Sequence, residues 1–342
     1  MSDYMIVIYL FCGFLLGWSL GANDAANVFG TAVGTRMISF RKAAFICSFF
    51  IVLGAVLGGS GTTETLNSLG QITNIRAAAL AVFIAALTVF GMTWLRQPVS
   101  TSQAIVGSII GWNLAMQLPL KSEPVIKIFS TWIICPLLSA LITIIIYLAA
   151  RKFIFSRPVN LFKRDAYIRM ALLVAGAFGA YSLGANNIAN VMGVFVNSVK
   201  FEDIKVLNVT ISSLHQLYFL GGLSIAAGVF SFSKRVMMTV GKNIFHLLPE
   251  HAFIVVFSQS VVLFLFSSSR LSDMMISIGL PPFPLVPVSS TQAVIGAVLG
   301  IGLMKSVASL KFRILGEIAL SWVLTPLVSL CLTFVTLKIF GF

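Results

Sequence analysis

Gly21-Ala22-Asn23-Asp24-Ala25-Ala26-Asn27-Val28-Phe29-Gly30 is the stretch that decides how this chain is read. It sets two amides and a carboxylate inside a segment otherwise apolar enough to cross a membrane. An Asp at that depth costs roughly 2.5–3.5 kcal/mol on insertion scales, which marks it as a functional residue by default. The stretch returns as Gly184-Ala185-Asn186-Asn187-Ile188-Ala189-Asn190-Val191-Met192-Gly193. Ser19–Gly30 and Ser182–Gly193 align without gaps, with nine of twelve positions identical. A polar interruption duplicated in two halves of a membrane chain points to the binding site of a transporter built from broken helices.

Composition sets the class. Of 342 residues, 58% are hydrophobic and 10% charged, with a mean hydropathy of +1.01. Soluble domains carry about 25% charge, so this is an all-α polytopic membrane protein. Nothing alternates as barrel strands do. The N-terminal Met1-Ser2-Asp3-Tyr4 lacks a basic leader region, so the first apolar run reads as a retained span. Cys12, Cys47, Cys135 and Cys331 are scattered singly through apolar runs and read as small buried hydrophobes, not metal ligands. The net charge of +13 sits in short loops, which reads as a topology signal and not as a nucleic-acid surface.

Further anchors extend the repeat. Pro98-Val99-Ser100-Thr101-Ser102-Gln103-Ala104 matches Pro287-Val288-Ser289-Ser290-Thr291-Gln292-Ala293, and Trp132 with Pro136 matches Trp322 with Pro326. The order is kept, with one insertion in the second half. The expected plan is an N-terminal repeat over 1–150, a short basic linker over 151–166 and a C-terminal repeat over 167–342. Expected spans include Ala43–Gly59, Ala77–Leu95, Ile128–Ala150, Val206–Val229, Ala252–Phe266 and Ile314–Phe340, with a polar loop over Ser60–Ile75. With five crossings per half, one side receives 16 Lys and Arg and the other 7, so the first is cytoplasmic and both termini lie outside. Each half has an odd number of crossings, hence opposite topology. Re-entrant hairpins at the Pro-Val-Ser segments would keep that parity.

The two Ser/Thr-Gln segments have the Ser-x-x-Gln form of a capping box before an apolar helix. Capping alone is the plainer reading. Placed in opposed repeats, though, two helix starts can face one another near the midplane, where free N–H groups and partial positive charge suit an oxyanion. Ser100, Thr101, Ser102, Gln103, Ser289, Ser290, Thr291 and Gln292 are the candidate anion ligands. Asn23, Asp24, Asn27, Asn186, Asn187 and Asn190 offer hard oxygens for a small cation such as Na⁺. Glycines at 13, 17, 21, 176 and 184 read as close-packing positions, which leaves Asp24 unexplained by packing. His215 and Glu317 are secondary candidates for a proton relay. Arg96 either snorkels to the interface or approaches the anion, and Glu64 reads as a solvated outer-loop residue.

These paired motifs resemble the duplicated signature of the inorganic phosphate transporter (PiT) family, over essentially the whole chain. The resemblance implies an inverted-repeat permease that imports inorganic phosphate by symport with Na⁺ or H⁺, resident in the inner or plasma membrane. It also implies that the six Asn/Asp positions and the two tips line the ion and substrate site. No cofactor beyond the coupling ion is expected, and a homodimer is left open. One departure stands out, because many members carry Asp where this chain has Asn187. The large hydrophilic middle domain of eukaryotic members is also absent, which suggests a prokaryotic protein. Sulfate or arsenate as substrate, and an anion channel as a different class, remain alternatives. An intramembrane enzyme is disfavoured, since no Ser-Lys or His-Glu-x-x-His pattern is present.

Overall fold

The computed structural model describes residues 3–70, 72, 74–94, 99–155, 160–206, 209–239, 247–305 and 312–340. Arg96, Gln97, Pro98, Lys242 and Lys311 lie outside them. In the first half the helices are α1 (Asp3–Gly34), α2 (Phe40–Gly58), α3 (Ser60–Leu69), α4 (Ile75–Trp94), α5 (Thr101–Ala115) and α6 (Ser122–Ala150). A π-turn, Arg151–Phe155, leaves α6. The second half has α7 (Leu161–Met192), a short antiparallel hairpin of β1 (Ile204–Val206) and β2 (Val209–Ile211), then α8 (Ser213–Ser231) and α9 (Ser233–Thr239). It closes with α10 (Pro249–Ser267), α11 (Ser269–Ser277), α12 (Ser290–Lys305) and α13 (Phe312–Phe340). Eight of the described helices are long and apolar enough to cross a bilayer: α1, α2, α4, α6, α7, α8, α10 and α13.

Burial separates lining from periphery. Only 22% of the apolar window of α6 is buried, and Ile126, Ile133, Leu137, Leu141 and Ile145 point outward, as a lipid-facing helix requires. The corresponding windows of α4 and α10 are 67% buried, so these two run through the interior. Each leads to a short return helix, α4 to α5 of 15 residues and α10, by way of α11, to α12 of 16. The return of α5 alongside α4 is antiparallel. Ser108 donates to Ala81 O at 2.7 Å, and further along α5 the Asn113 amide donates to Leu69 O at 3.0 Å. The start of α12 meets the middle of α6, where Ser139 donates to Ala293 O at 2.6 Å. At 1.5 Å per residue the 29-residue α6 is about 43 Å long, so this hairpin turns at mid-depth.

Close helix approaches come in reciprocal pairs. A Cβ added to Gly107 of α5 would overlap the carbonyl of Pro326 in α13, and one added to Gly296 of α12 would overlap the carbonyl of Pro136 in α6. Gly21 of α1 likewise meets Ile225 O of α8, while Gly184 of α7 meets Ile51 O of α2. Exchanging the halves maps each contact onto its twin, which is how two-fold-related surfaces behave. Pro136 and Pro326 thus sit where the two halves pack closely on each other.

Three sequence expectations need correction. The Asn/Asp stretches do not break their helices: α1 is continuous from Asp3 to Gly34, and α7 runs unbroken to Met192 before a 3₁₀ turn over Gly193–Phe195. Among the described residues, non-helical backbone lies instead at Val99 and Ser100 before α5 and over 278–289 before α12. The polar loop over Ser60–Ile75 is largely helix α3, and the Thr63 hydroxyl donates back to Gly59 O at 2.9 Å. The second half carries two insertions, the β-hairpin before α8 and α11 before the second tip. Helix α7 begins at Leu161, with Asn160 as its cap.

Candidate functional site

The two tips meet at the centre of the molecule. Ser102, in the first turn of α5, donates to Val288 O at 3.2 Å, and Thr291, in the first turn of α12, donates to Val99 O at 3.3 Å. Each hairpin is thus hooked to the carbonyl that precedes the other's helix. Ser100 and Ser289 cap their helices, each accepting from the N–H three residues on, of Gln103 and Gln292, at 3.3 Å. The reciprocal half of the capping box is missing. Gln103 Oε1 and Gln292 Oε1 are buried without a hydrogen-bond partner, so both amide oxygens stand ready for a ligand.

Helix α7 holds the second tip. Asn186 Nδ2 donates to Val288 O at 2.7 Å, and Val288 N–H donates to Asn186 Oδ1 at 2.9 Å, so one side-chain amide grips both sides of the tip backbone. Asn187 Oδ1 accepts from Asn186 at 3.1 Å and from Asn190 at 3.0 Å, and Asn190 also donates to Ser102 Oγ at 2.8 Å. Asn186, Asn187 and Asn190 are fully buried, yet Asn187 Nδ2 and Asn190 Oδ1 lack partners. Asn186 and Asn190 reach across to the tips, while Asn187 joins them on their own helix.

Helix α1 brings the charge. Ser290 Oγ donates to Asp24 Oδ2 at 2.8 Å, and Asn27 Nδ2 donates to Ser290 Oγ at 3.3 Å. Asp24 is 6% exposed, and the ion pairs among the described residues are Arg164–Glu250 and Arg169–Asp165, neither of which touches it. A carboxylate buried without a cationic partner costs several kcal/mol, so it calls for a cation or a proton. Asn23 stands apart from the others and donates to Thr93 Oγ1 at 3.4 Å. Asn23, Asn27 and Thr291 are half-buried, whereas the α7 amides are sealed.

The structure therefore gathers Asp24, Asn27 and Ser290 in one cluster, and Asn186, Asn187, Asn190, Ser102 and Val288 in another. The candidate cation and anion ligands interleave through Ser290 and Ser102. Sequence reasoning missed Gln259 of α10. Its amide donates to Asn27 O, and its Oε1 is buried without a partner. The available signal was a lone Gln between two serines in an otherwise apolar run. His215 is exposed at the start of α8 and bonds Ser212, and Glu317 is exposed on α13, so neither joins the cluster. Glu64 is exposed on α3.

Fold and site together define a multi-pass helical membrane protein whose polar groups converge on two facing helix starts beside a buried carboxylate, the architecture of a solute transporter and not of an enzyme. The chain matches the phosphate transporter family over residues 20–333 and belongs to it. It is 28% identical over 334 residues to the protein of Methanocaldococcus jannaschii described as "Putative phosphate permease MJ0630", covering 97% of each chain. It is 25% identical to "Inorganic phosphate transporter 2-1, chloroplastic" of Arabidopsis thaliana, covering 92% of this chain and 69% of that one. A solved structure described as "The sodium-dependent phosphate transporter" shares the fold, with a TM-score of 0.78, 23% identity, and coverage of 98% and 99%.

Proposed function

We propose that this protein imports inorganic phosphate by symport with Na⁺, through an alternating-access site where two halves of opposite topology meet. The halves are 1–150 and 167–342, joined by a basic cytoplasmic segment in the cell membrane, with both termini outside. The observation that carries the reading is Asp24, buried without a basic partner and hydrogen-bonded to Ser290 in the first turn of α12. The reciprocal glycine contacts support the two-fold relation between the halves.

In this reading Na⁺ sits among Asp24, Asn27 and the unpartnered amide oxygens, with Asn23, Asn186, Asn187 and Asn190 completing or bracing the shell. Phosphate sits at the starts of α5 and α12, bound by N–H groups and hydroxyls of residues 100–103 and 289–292. No Arg or Lys is required, which keeps release easy. Bound Na⁺ cancels the repulsion between Asp24 and the anion, so each ligand tightens the other.

The test is uptake of labelled phosphate into proteoliposomes under an inward Na⁺ gradient, with K⁺ or choline in its place as control. Uptake that ignores the Na⁺ gradient overturns the coupling. A second reading has a specific basis. Asp24 is the one carboxylate in the two motifs, with Asn187 at its twin position, and a hydroxyl-bonded carboxylate can take a proton instead. Uptake driven by an inward pH gradient in sodium-free buffer would select that reading, and competition by sulfate would measure selectivity.

A further inference from the structure

A second polar feature lies away from the tips. The end of α1, the start of α2, the first third of α7 and α9 enclose a cavity of about 570 Å³. Its wall carries Arg36, Lys42, Arg169 and Lys234, from four separate elements, and no acidic residue. Arg169 is partly met by Asp165 at 2.9 Å on its own helix, and Lys234 lies 5.9 Å from the centre of the Phe40 ring. Arg36 adopts a left-handed backbone with φ of 63°, strain that a non-glycine residue bears only where its surroundings enforce it. The floor is apolar, built from Val33, Ile38, Phe40 and Leu173. All four cations fall on the side richer in Lys and Arg, so the cavity opens at the cytoplasmic headgroup level.

We propose that this cavity binds the phosphate-bearing headgroup of an anionic phospholipid, with its glycerol and upper acyl carbons on the apolar floor. Charge complementarity selects the class, since four cations line the cavity and the carboxylate that pairs with Arg169, Asp165, is not among the lining residues. The volume falls within the roughly 300–1,000 Å³ typical of small-molecule sites, more room than a lone oxyanion fills. The floor distinguishes a lipid from free phosphate, because apolar wall contributes nothing to a bare oxyanion. Basic pockets between helices on the cytoplasmic side hold lipid headgroups by this arrangement. The inference needs the membrane topology but not the transport reading.

The test uses the full chain, purified in detergent, delipidated, and titrated with phosphatidylglycerol or phosphatidylcholine under native mass spectrometry. Wild type should retain one phosphatidylglycerol with a preference of about tenfold or more over phosphatidylcholine, weakened by added salt. Arg36→Gln with Lys234→Gln should bring the two lipids level while inorganic phosphate binding persists. If that pair fails to fold, Lys42→Gln, at an exposed position, should cut the preference alone. Equal retention of both lipids by wild type, an unchanged preference in the variants, or displacement of phosphatidylglycerol by inorganic phosphate would each overturn the proposal.

Discussion

Replacing Asp24 by Asn removes one charge and nearly no volume, and the consequence can be worked from the geometry. Ser290 Oγ lies 2.8 Å from the Asp24 carboxylate and belongs to the first turn of α12. An oxyanion bound at that turn has its nearest oxygen about two hydrogen-bond lengths, or about 5 Å, from the carboxylate. Two unit charges at that distance repel by about 3 kcal/mol at an effective dielectric near 20, or about a hundredfold in affinity. With Na⁺ bound the repulsion is cancelled. Wild type should therefore bind phosphate about a hundredfold more tightly with Na⁺ than without it. In Asp24→Asn that ratio should collapse toward one, with the sodium-free affinity rising and coupled uptake lost. The assay is equilibrium binding of labelled phosphate to detergent-purified protein at constant ionic strength, Na⁺ exchanged for choline. Acidification without Na⁺ should restore affinity in wild type only, because a proton then takes the cation's place. Removing an unpaired buried charge should leave melting unchanged or raised. A variant that still loses a hundredfold in affinity when Na⁺ is withdrawn would refute the reasoning and remove Asp24 from the site.

Asn186→Ala removes both bonds to the Val288 peptide and orphans a buried N–H, so it should cost about 1–3 kcal/mol and speed hydrogen exchange across the second tip; unchanged exchange there would deny the clamp. Gly107→Ala and Gly296→Ala each drive a methyl into a proline carbonyl of the opposite half, and both should lower the melting temperature by similar amounts. Gly91→Ala, which meets nothing within 4 Å inside α4, should instead be neutral or stabilising by about 0.5–1 kcal/mol. Gln259→Leu should weaken apparent Na⁺ affinity about tenfold while sparing sodium-free phosphate binding, provided its free Oε1 is a cation ligand. A fall in both together would make Gln259 a brace for α1 only.

Much of this centre was legible because it is written twice. An Asn-rich stretch in one apolar helix has many explanations, but the same stretch in register in both halves, followed each time by Pro-Val-Ser and Ser-x-x-Gln, has few. The tips were legible for a local reason as well, since in each a serine caps the helix that follows. Continuity of α1 and α7 was not legible. Small and polar residues in a membrane segment look the same whether the backbone opens or the amides reach sideways, and only the partners decide it. For Asn186 the partner is the Val288 peptide, over a hundred positions away in the chain. Gln259 was hidden because a single amide in an apolar run carries no pattern, and α3 because its Gly-, Thr- and Ser-rich sequence reads as a loop until the Thr hydroxyls are seen satisfied by the helix's own Gly59 carbonyl.

The least legible feature is the difference between twins. Asn23 and Asn186 are identical residues at identical places in their motifs, yet Asn186 grips the tip of its own hairpin while Asn23, half-buried, reaches Thr93 beside the other. The two asparagines themselves cannot be told apart in the sequence, and only their partners separate them. In the alternating-access reading this is the expected outcome. Two halves with the same parts can open to only one side at a time, and the open half must release what the closed half holds. The sealed amides of α7 and the more accessible ones of α1 then describe a single state of the cycle, and its mirror state would pair Asn23 with the Val99 peptide. What remains unequal under that exchange is Asp24 opposite Asn187. That fixed difference places the charge on one half only, and in the symport reading it would give the coupling ion a single preferred helix whichever way the site faces.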